Sequence, residues 1–186
     1  HHVIDGVDSA YYASRYNIKY GADFLKFMAT GGVMSFGTTV GAQQLTLAEM
    51  KAIVEIANMY GIHTATHAHG TNGIKDAVRA GVTSVEHGMI LDDEAIELML
   101  EHGTYLTPTI IAAERIVATG HLIGVQPWAI EKAKTVLSTH EAGFRKCMAK
   151  GVKISFGTDS GTPNNFHGKQ GYEFELLQNF GMKVED

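Results

Sequence analysis

One local grammar recurs along this chain, and it constrains the fold more than any other feature. A run of helical periodicity ends on a glycine, two or three residues follow, then a short apolar run, then a polar cluster. The apolar runs fall at 23–28, 62–66, 83–85, 105–107 and 152–156, each too short for a helix, so they read as strands. The 21 glycines among 186 residues supply the punctuation. Strands that alternate with helices build a parallel sheet with helices packed on it.

The predicted elements follow in order. A helix over 8–20 is closed by Gly21, and 23–28 is expected as a buried strand. Thr46 begins a helix to about residue 60, with Glu49 three residues on as its capping-box partner. Helices at 73–80 and 92–101 separate the next strands, and the strand at 105–107 runs into Pro108. A loose stretch with Gly120 and Gly124 precedes a long helix over 128–150, and a last helix begins near 172. This α/β pattern fits a TIM-like (β/α)8 barrel or a doubly wound open sheet. A whole barrel takes about 250 residues. The 186 residues here are therefore expected to be a single, incomplete barrel domain over 1–186.

Composition narrows the function classes. The chain is 45% hydrophobic and 19% charged, which suits a packed core. A net charge of -5 gives no electrostatic reason to expect nucleic acid or an anionic membrane as partner. No apolar run approaches the roughly 20 residues of a membrane span. Cys147 is the one cysteine, so there is no internal disulfide, and the compartment is left open.

The chemistry gathers at strand ends. Lys26, His67 with His69, His87 and Asp159 each lie at or close to the C-terminal end of an apolar run. Parallel strands bring such ends to one rim, where barrel active sites are built. Neutral imidazole and carboxylate suit zinc and similar divalent ions, and two His with an Asp leave a coordination position for water. Each residue also has a plainer reading. A single strand-end His can be hydrogen-bonded structure, Asp159 an Asx-turn or helix cap, and Lys26 a side chain that snorkels to the rim. His63, His102, His121 and His140 read as surface residues.

Four segments carry a resemblance: Gly-Ala-Asp-Phe-Leu-Lys-Phe-Met-Ala-Thr-Gly-Gly-Val (21–33), Thr-His-Ala-His-Gly (66–70), Val-Glu-His-Gly (85–88) and Gly-Thr-Asp-Ser-Gly (157–161). In this order they resemble the amidohydrolase superfamily, near its imidazolonepropionase-like and Xaa-Pro dipeptidase or carboxypeptidase branch. The likeness covers strands four to eight of that family's barrel. It implies that Lys26, carboxylated by carbon dioxide, bridges two metals as a carbamate. It implies His67 and His87 as further ligands, and Asp159 as a ligand that also shuttles a proton. His69 stands where relatives often carry Tyr, and would contact the substrate carbonyl. The family's strand-one His-x-His pair is absent; His1-His2 is adjacent and precedes a helix. The chain thus looks like a C-terminal barrel fragment.

The resemblance further implies a binuclear zinc enzyme in the full-length protein, a homo-oligomer that acts on a small molecule or dipeptide. The expected reaction is hydrolysis of the C–N bond of dipeptides or N-acyl amino acids with a free carboxylate, by a metal-activated hydroxide. His167, in the loop 164–169, would bind that carboxylate or belong to an ordinary solvated loop. Opening of a cyclic amide, as in imidazolonepropionase, and a non-catalytic metal-binding or structural role are the alternatives.

Overall fold

The computed structural model describes residues 3–37 and 39–183; His1 and His2 lie outside the described residues. Four parallel strands pair in chain order: β1 (Phe24–Met28), β2 (His63–Ala68), β3 (Ser84–His87) and β4 (Tyr105–Thr107). The helices are α1 (Val7–Lys19), α2 (Leu47–Met59), α3 (Thr71–Ala80), α4 (Asp93–His102), α5 (Ile110–Thr119), α6 (Pro127–Lys150) and α7 (Tyr172–Asn179). A doubly wound sheet reverses its strand order at a switch point, whereas a barrel wall adds strands in sequence. The uninterrupted order β1-β2-β3-β4 is an arc of a barrel wall.

The fifth apolar run takes its expected place beside β4, but it makes only one parallel bridge, Leu106 to Ile154. Leu106 N–H donates to the Lys153 carbonyl at 2.8 Å, and Ser155 N–H donates to the Leu106 carbonyl at 2.9 Å. The Thr107 and Ser155 hydroxyls meet at 2.7 Å on the inner face.

β1 corrects the expectation of a buried strand. Leu25 and Phe27 are buried in the main core, while Phe24, Lys26 and Met28 are exposed. β1 is the edge of the sheet, and among the described residues no layer covers its inner face. Register pairs Lys26 with Ala65 and Met28 with His67, so these four residues share that face.

The main core lies between the sheet and its helices, around Phe27, Ile53, Ile74, Val85, Ile96, Leu106 and Phe144. A smaller cluster of Val33, Met89, Ala113, Ile116, Ala133 and Val136 joins loops that leave the strand ends to α5 and α6. The capping box forms as expected: Thr46 Oγ1 accepts the Glu49 N–H at 3.3 Å, and Glu49 Oε2 accepts the Thr46 N–H at 2.7 Å. Glu49 Oε1 also accepts the Gly6 N–H at 2.8 Å, which ties the start of α1 to α2.

The loose stretch expected after Pro108 is in fact α5, followed by a 3-10 turn at Gly120–Ile123. Its N-cap residue, Thr109, makes no side-chain cap bond, and the first turn is capped from elsewhere. Ile110 and Ile111 donate their N–H groups to the Glu173 carboxyl at 2.8 and 2.7 Å. No helix among the described residues is long and apolar enough to cross a membrane.

Candidate functional site

Three imidazoles meet at the ends of β2 and β3. The ring centroids of His67 and His69 are 4.5 Å apart, those of His67 and His87 4.7 Å, and those of His69 and His87 5.0 Å. All three side chains are buried. His67 reaches the cluster by ordinary strand alternation. His87 pairs in register with Ala68, which is buried in the main core. A left-handed backbone, φ 74°, ends the alternation at His87.

Loops fix these rings from above. Thr30 Oγ1 accepts the backbone N–H of His69 at 2.9 Å. A Cβ on Gly32 would lie 3.1 Å from both Cε1 and Nε2 of His67, so the turn after β1 rests on that ring. A Cβ on Gly70 would fall 2.1 Å from the Gly41 carbonyl oxygen, so only glycine lets the loop before α2 close on the His69-Gly70 turn. His87 Nδ1 lies 2.6 Å from Thr109 Oγ1.

Burial keeps the rings neutral. It holds His67 down to about 4, with help from the Lys26 charge and a partial offset from the Gly31 carbonyl. Burial also pushes His69 and His87 well below the usual imidazole range, and neighbouring imidazoles add to the effect. Asp159 is exposed after the run at 152–156, and among the described residues its only link to the site is the Lys26 charge. Burial raises its carboxyl and the Lys26 charge lowers it, so the two sense each other across the rim. Asp159 takes a left-handed φ of 52°. Its carbonyl accepts from Thr162 Oγ1 at 2.8 Å and from Asn165 Nδ2 at 3.1 Å.

Lys26 itself is exposed on the inner face, as a snorkelling side chain would be. His167 is exposed on the loop before α7. His63, His102 and His121 are exposed as expected. His140 corrects the expectation of a surface residue: it is 1% exposed on α6, and its charge would act on His69 and His87. It sits edge-on to Phe180, with centroids 5.9 Å apart. Burial holds its ring to about 4; the His87 carbonyl offsets this in part, but neither ring nitrogen has a well-formed hydrogen bond. Thr30, Thr109 and Glu173 were not legible as site residues, because their partners are far away in sequence.

The donor set fits a divalent ion. Neutral imidazole is the form that ligates. His67 Nε2 and His69 Nδ1 are buried without a hydrogen-bond partner, and an orphaned buried polar atom costs about 1–3 kcal/mol. His87 has Nδ1 satisfied by Thr109, which leaves Nε2 for a ligand. Among the described residues, no three His, Cys, Asp or Glu side chains are already arranged around a single ion position. The imidazoles are thus gathered, and a bound ion would need the rings rearranged or ligands beyond these three.

Comparison with known proteins agrees with this geometry. The model of the amidohydrolase family matches residues 2–184. Ochratoxinase of Aspergillus niger is 35% identical over 159 residues, which is 85% of this chain and 33% of ochratoxinase. The crystal structure of a Xaa-Pro dipeptidase with methionine bound in its active site superposes with a TM-score of 0.87 at 41% identity, covering 97% of this chain and 44% of the dipeptidase. A prolidase complexed with N-methylphosphonate-L-proline gives 0.89 at 32% identity, over 96% of this chain and 43% of that one. The chain therefore spans between a third and a half of the length of these relatives. Its parallel arc, its clustered imidazoles and these matches have one reading in common: the chain belongs to the amidohydrolase family.

Proposed function

We propose that the protein carrying this chain hydrolyses amide C–N bonds, with dipeptides or N-acyl amino acids bearing a free carboxylate as substrates. The observation that carries this reading is the meeting of three buried, neutral imidazoles at adjacent strand ends, two of them with unpartnered ring nitrogens. Its support in substrate class comes from the Xaa-Pro dipeptidase and ochratoxinase likenesses.

His67 and His87 are assigned as metal-holding imidazoles, with Asp159 and a Lys26 carbamate as the anionic partners; zinc suits such donors. A divalent ion bound there supplies Lewis acidity, lowering the pKa of water and polarising the scissile carbonyl. The remaining steps belong to the chain. The Asp159 carboxylate accepts the proton of the attacking water and returns it to the leaving nitrogen, general base and then general acid. Burial raises this carboxyl above its ordinary value, against the opposing Lys26 charge. His69, neutral and fixed by Thr30, donates to the carbonyl oxygen as negative charge develops there. His167, on the exposed loop, contributes to holding the substrate carboxylate.

The test is a panel of Xaa-Pro dipeptides, other dipeptides, N-acyl amino acids and cyclic amides offered to the protein that carries this chain. The reading expects turnover of substrates with a free carboxylate and loss of it when that carboxylate is amidated. Turnover restricted to cyclic amides would replace it with the imidazolonepropionase-like alternative.

A further inference from the structure

Thr109 is the N-cap residue of α5, yet its hydroxyl makes no cap bond. An N-cap threonine ordinarily accepts an N–H from the first turn. Here the hydroxyl is turned the other way, onto His87 Nδ1 at 2.6 Å. The backbone shows the same diversion: Thr109 is left-handed, φ 48° and ψ 47°. For a β-branched residue that conformation costs about 1–3 kcal/mol and persists only where the surroundings impose it.

Glu173 supplies the constraint. It is fully buried in the first turn of α7, and its two carboxyl oxygens accept the N–H groups of Ile110 and Ile111 at 2.8 and 2.7 Å. The donors that Thr109 leaves unsatisfied are thereby capped from 62 or 63 residues further along the chain. A buried carboxyl is expensive, so its retention beneath a helix terminus calls for more than an ordinary cap. The path is continuous: Glu173, the start of α5, Thr109, His87.

We infer that Glu173 is a positioning residue, which fixes the orientation and tautomer of the His87 ring by holding the start of α5 and so aiming the Thr109 hydroxyl at Nδ1. In the tautomer whose Nδ1–H is donated to Thr109, Nε2 keeps a lone pair for a ligand. The effect on metal affinity rests on the metal reading above; the effect on the ring does not.

The test uses the full-length protein that carries this chain, with two readouts, nitrogen-15 NMR of the His87 imidazole and a competition titration with zinc ions. Wild-type protein should show one His87 tautomer, protonated at Nδ1. Glu173→Gln should mix the two tautomers and weaken zinc binding 10–100-fold, the range for lost partners of ligating imidazoles. In a Thr109→Val background, where the hydroxyl is already gone, Glu173→Gln should change neither readout further. A Glu173→Gln protein that melts earlier but keeps its single tautomer would overturn the inference. So would undiminished effects in the Thr109→Val background. If Glu173→Gln does not fold, Glu173→Asp, with its shorter reach, must show the same shift in tautomer. If wild-type protein binds no zinc while the tautomer still responds to Glu173, the metal reading fails and the brace stands.

Discussion

Gly32 lies against His67 so closely that a single added carbon would stand 3.1 Å from two atoms of the imidazole. The turn after β1 is therefore part of the wall that sets where this ring can be. Gly32 does not use the left-handed backbone that would exclude a side chain, so the contact alone decides the effect of a substitution. Gly32→Ala should displace the His67 ring by a few tenths of an ångström and cost about 1–3 kcal/mol, the usual range for overpacking. Thermal unfolding measures the stability loss, and a zinc titration should show weakened binding. Unchanged zinc binding would mean that the His67 ring position does not matter to the site.

His140 predicts an acid sensitivity. In the folded chain its ring protonates only near 4, against an ordinary 6.5. Between those values the unfolded chain binds a proton that the folded chain refuses, so stability is lost as pH falls through that window. The contribution is on the order of 3 kcal/mol. His140→Leu should therefore show a shallower loss than wild type when urea midpoints are compared at pH 7 and pH 4.5.

Glu173 predicts the opposite sign. Burial raises its carboxyl to about 7 from an ordinary 4.5, although two backbone N–H groups oppose the shift. The folded chain keeps a proton that the unfolded chain releases, so this stabilisation is full below 4.5 and disappears as pH rises through about 7. The stability difference between wild type and Glu173→Gln should narrow from pH 4.5 to pH 7.5, read from the same urea transitions. A constant difference would show that folding does not shift the Glu173 carboxyl.

Asp159→Asn separates chemistry from folding. Asn tolerates the left-handed backbone at this position as well as Asp does, and the hydrogen bonds that brace the turn use the Asp159 carbonyl. The fold should survive, while loss of a general base lowers turnover by about 100- to 10,000-fold. The comparison is between rates of dipeptide hydrolysis and circular dichroism of the two proteins.

Much of this was legible from local sequence, and the exceptions share a cause. The repeated glycine-strand-cluster grammar located β1 to β4 and the helices with local caps, such as α2 with its Thr46–Glu49 box. Lys26, His67, His87 and Asp159 are expected on one rim, because parallel strands leave their ends together; the structure gathers His67, His69 and His87 there. α5 was hidden although Thr109 precedes it, since the bonds that cap its first turn come from Glu173, on another helix. The run at 152–156 has the composition of a strand but makes one bridge, so composition overstated its pairing. α3 begins at Thr71, before Gly73, because that glycine packs within the helix against Thr30, where a Cβ would be 2.3 Å from the Thr30 methyl.

His140 was readable and misassigned. The buried positions of α6, including Ala133, Val136, Gly143, Phe144 and Cys147, follow a helical period that passes through His140. That stripe, more than the residue type, places this imidazole inside. The brace from Glu173 through Thr109 to His87 had no such signal, because nothing in the sequence joins residues 87, 109 and 173.

The central claim is that His67 and His87, with Lys26 and Asp159, hold a divalent ion for amide hydrolysis. Metal analysis of the full-length protein that carries this chain tests it most directly, with His67→Ala and His87→Ala beside the wild type. At least one tightly bound divalent ion per wild-type chain, reduced in both variants, is the predicted result. Less than one ion per chain in active wild-type protein, or an unchanged content in both variants, would contradict it.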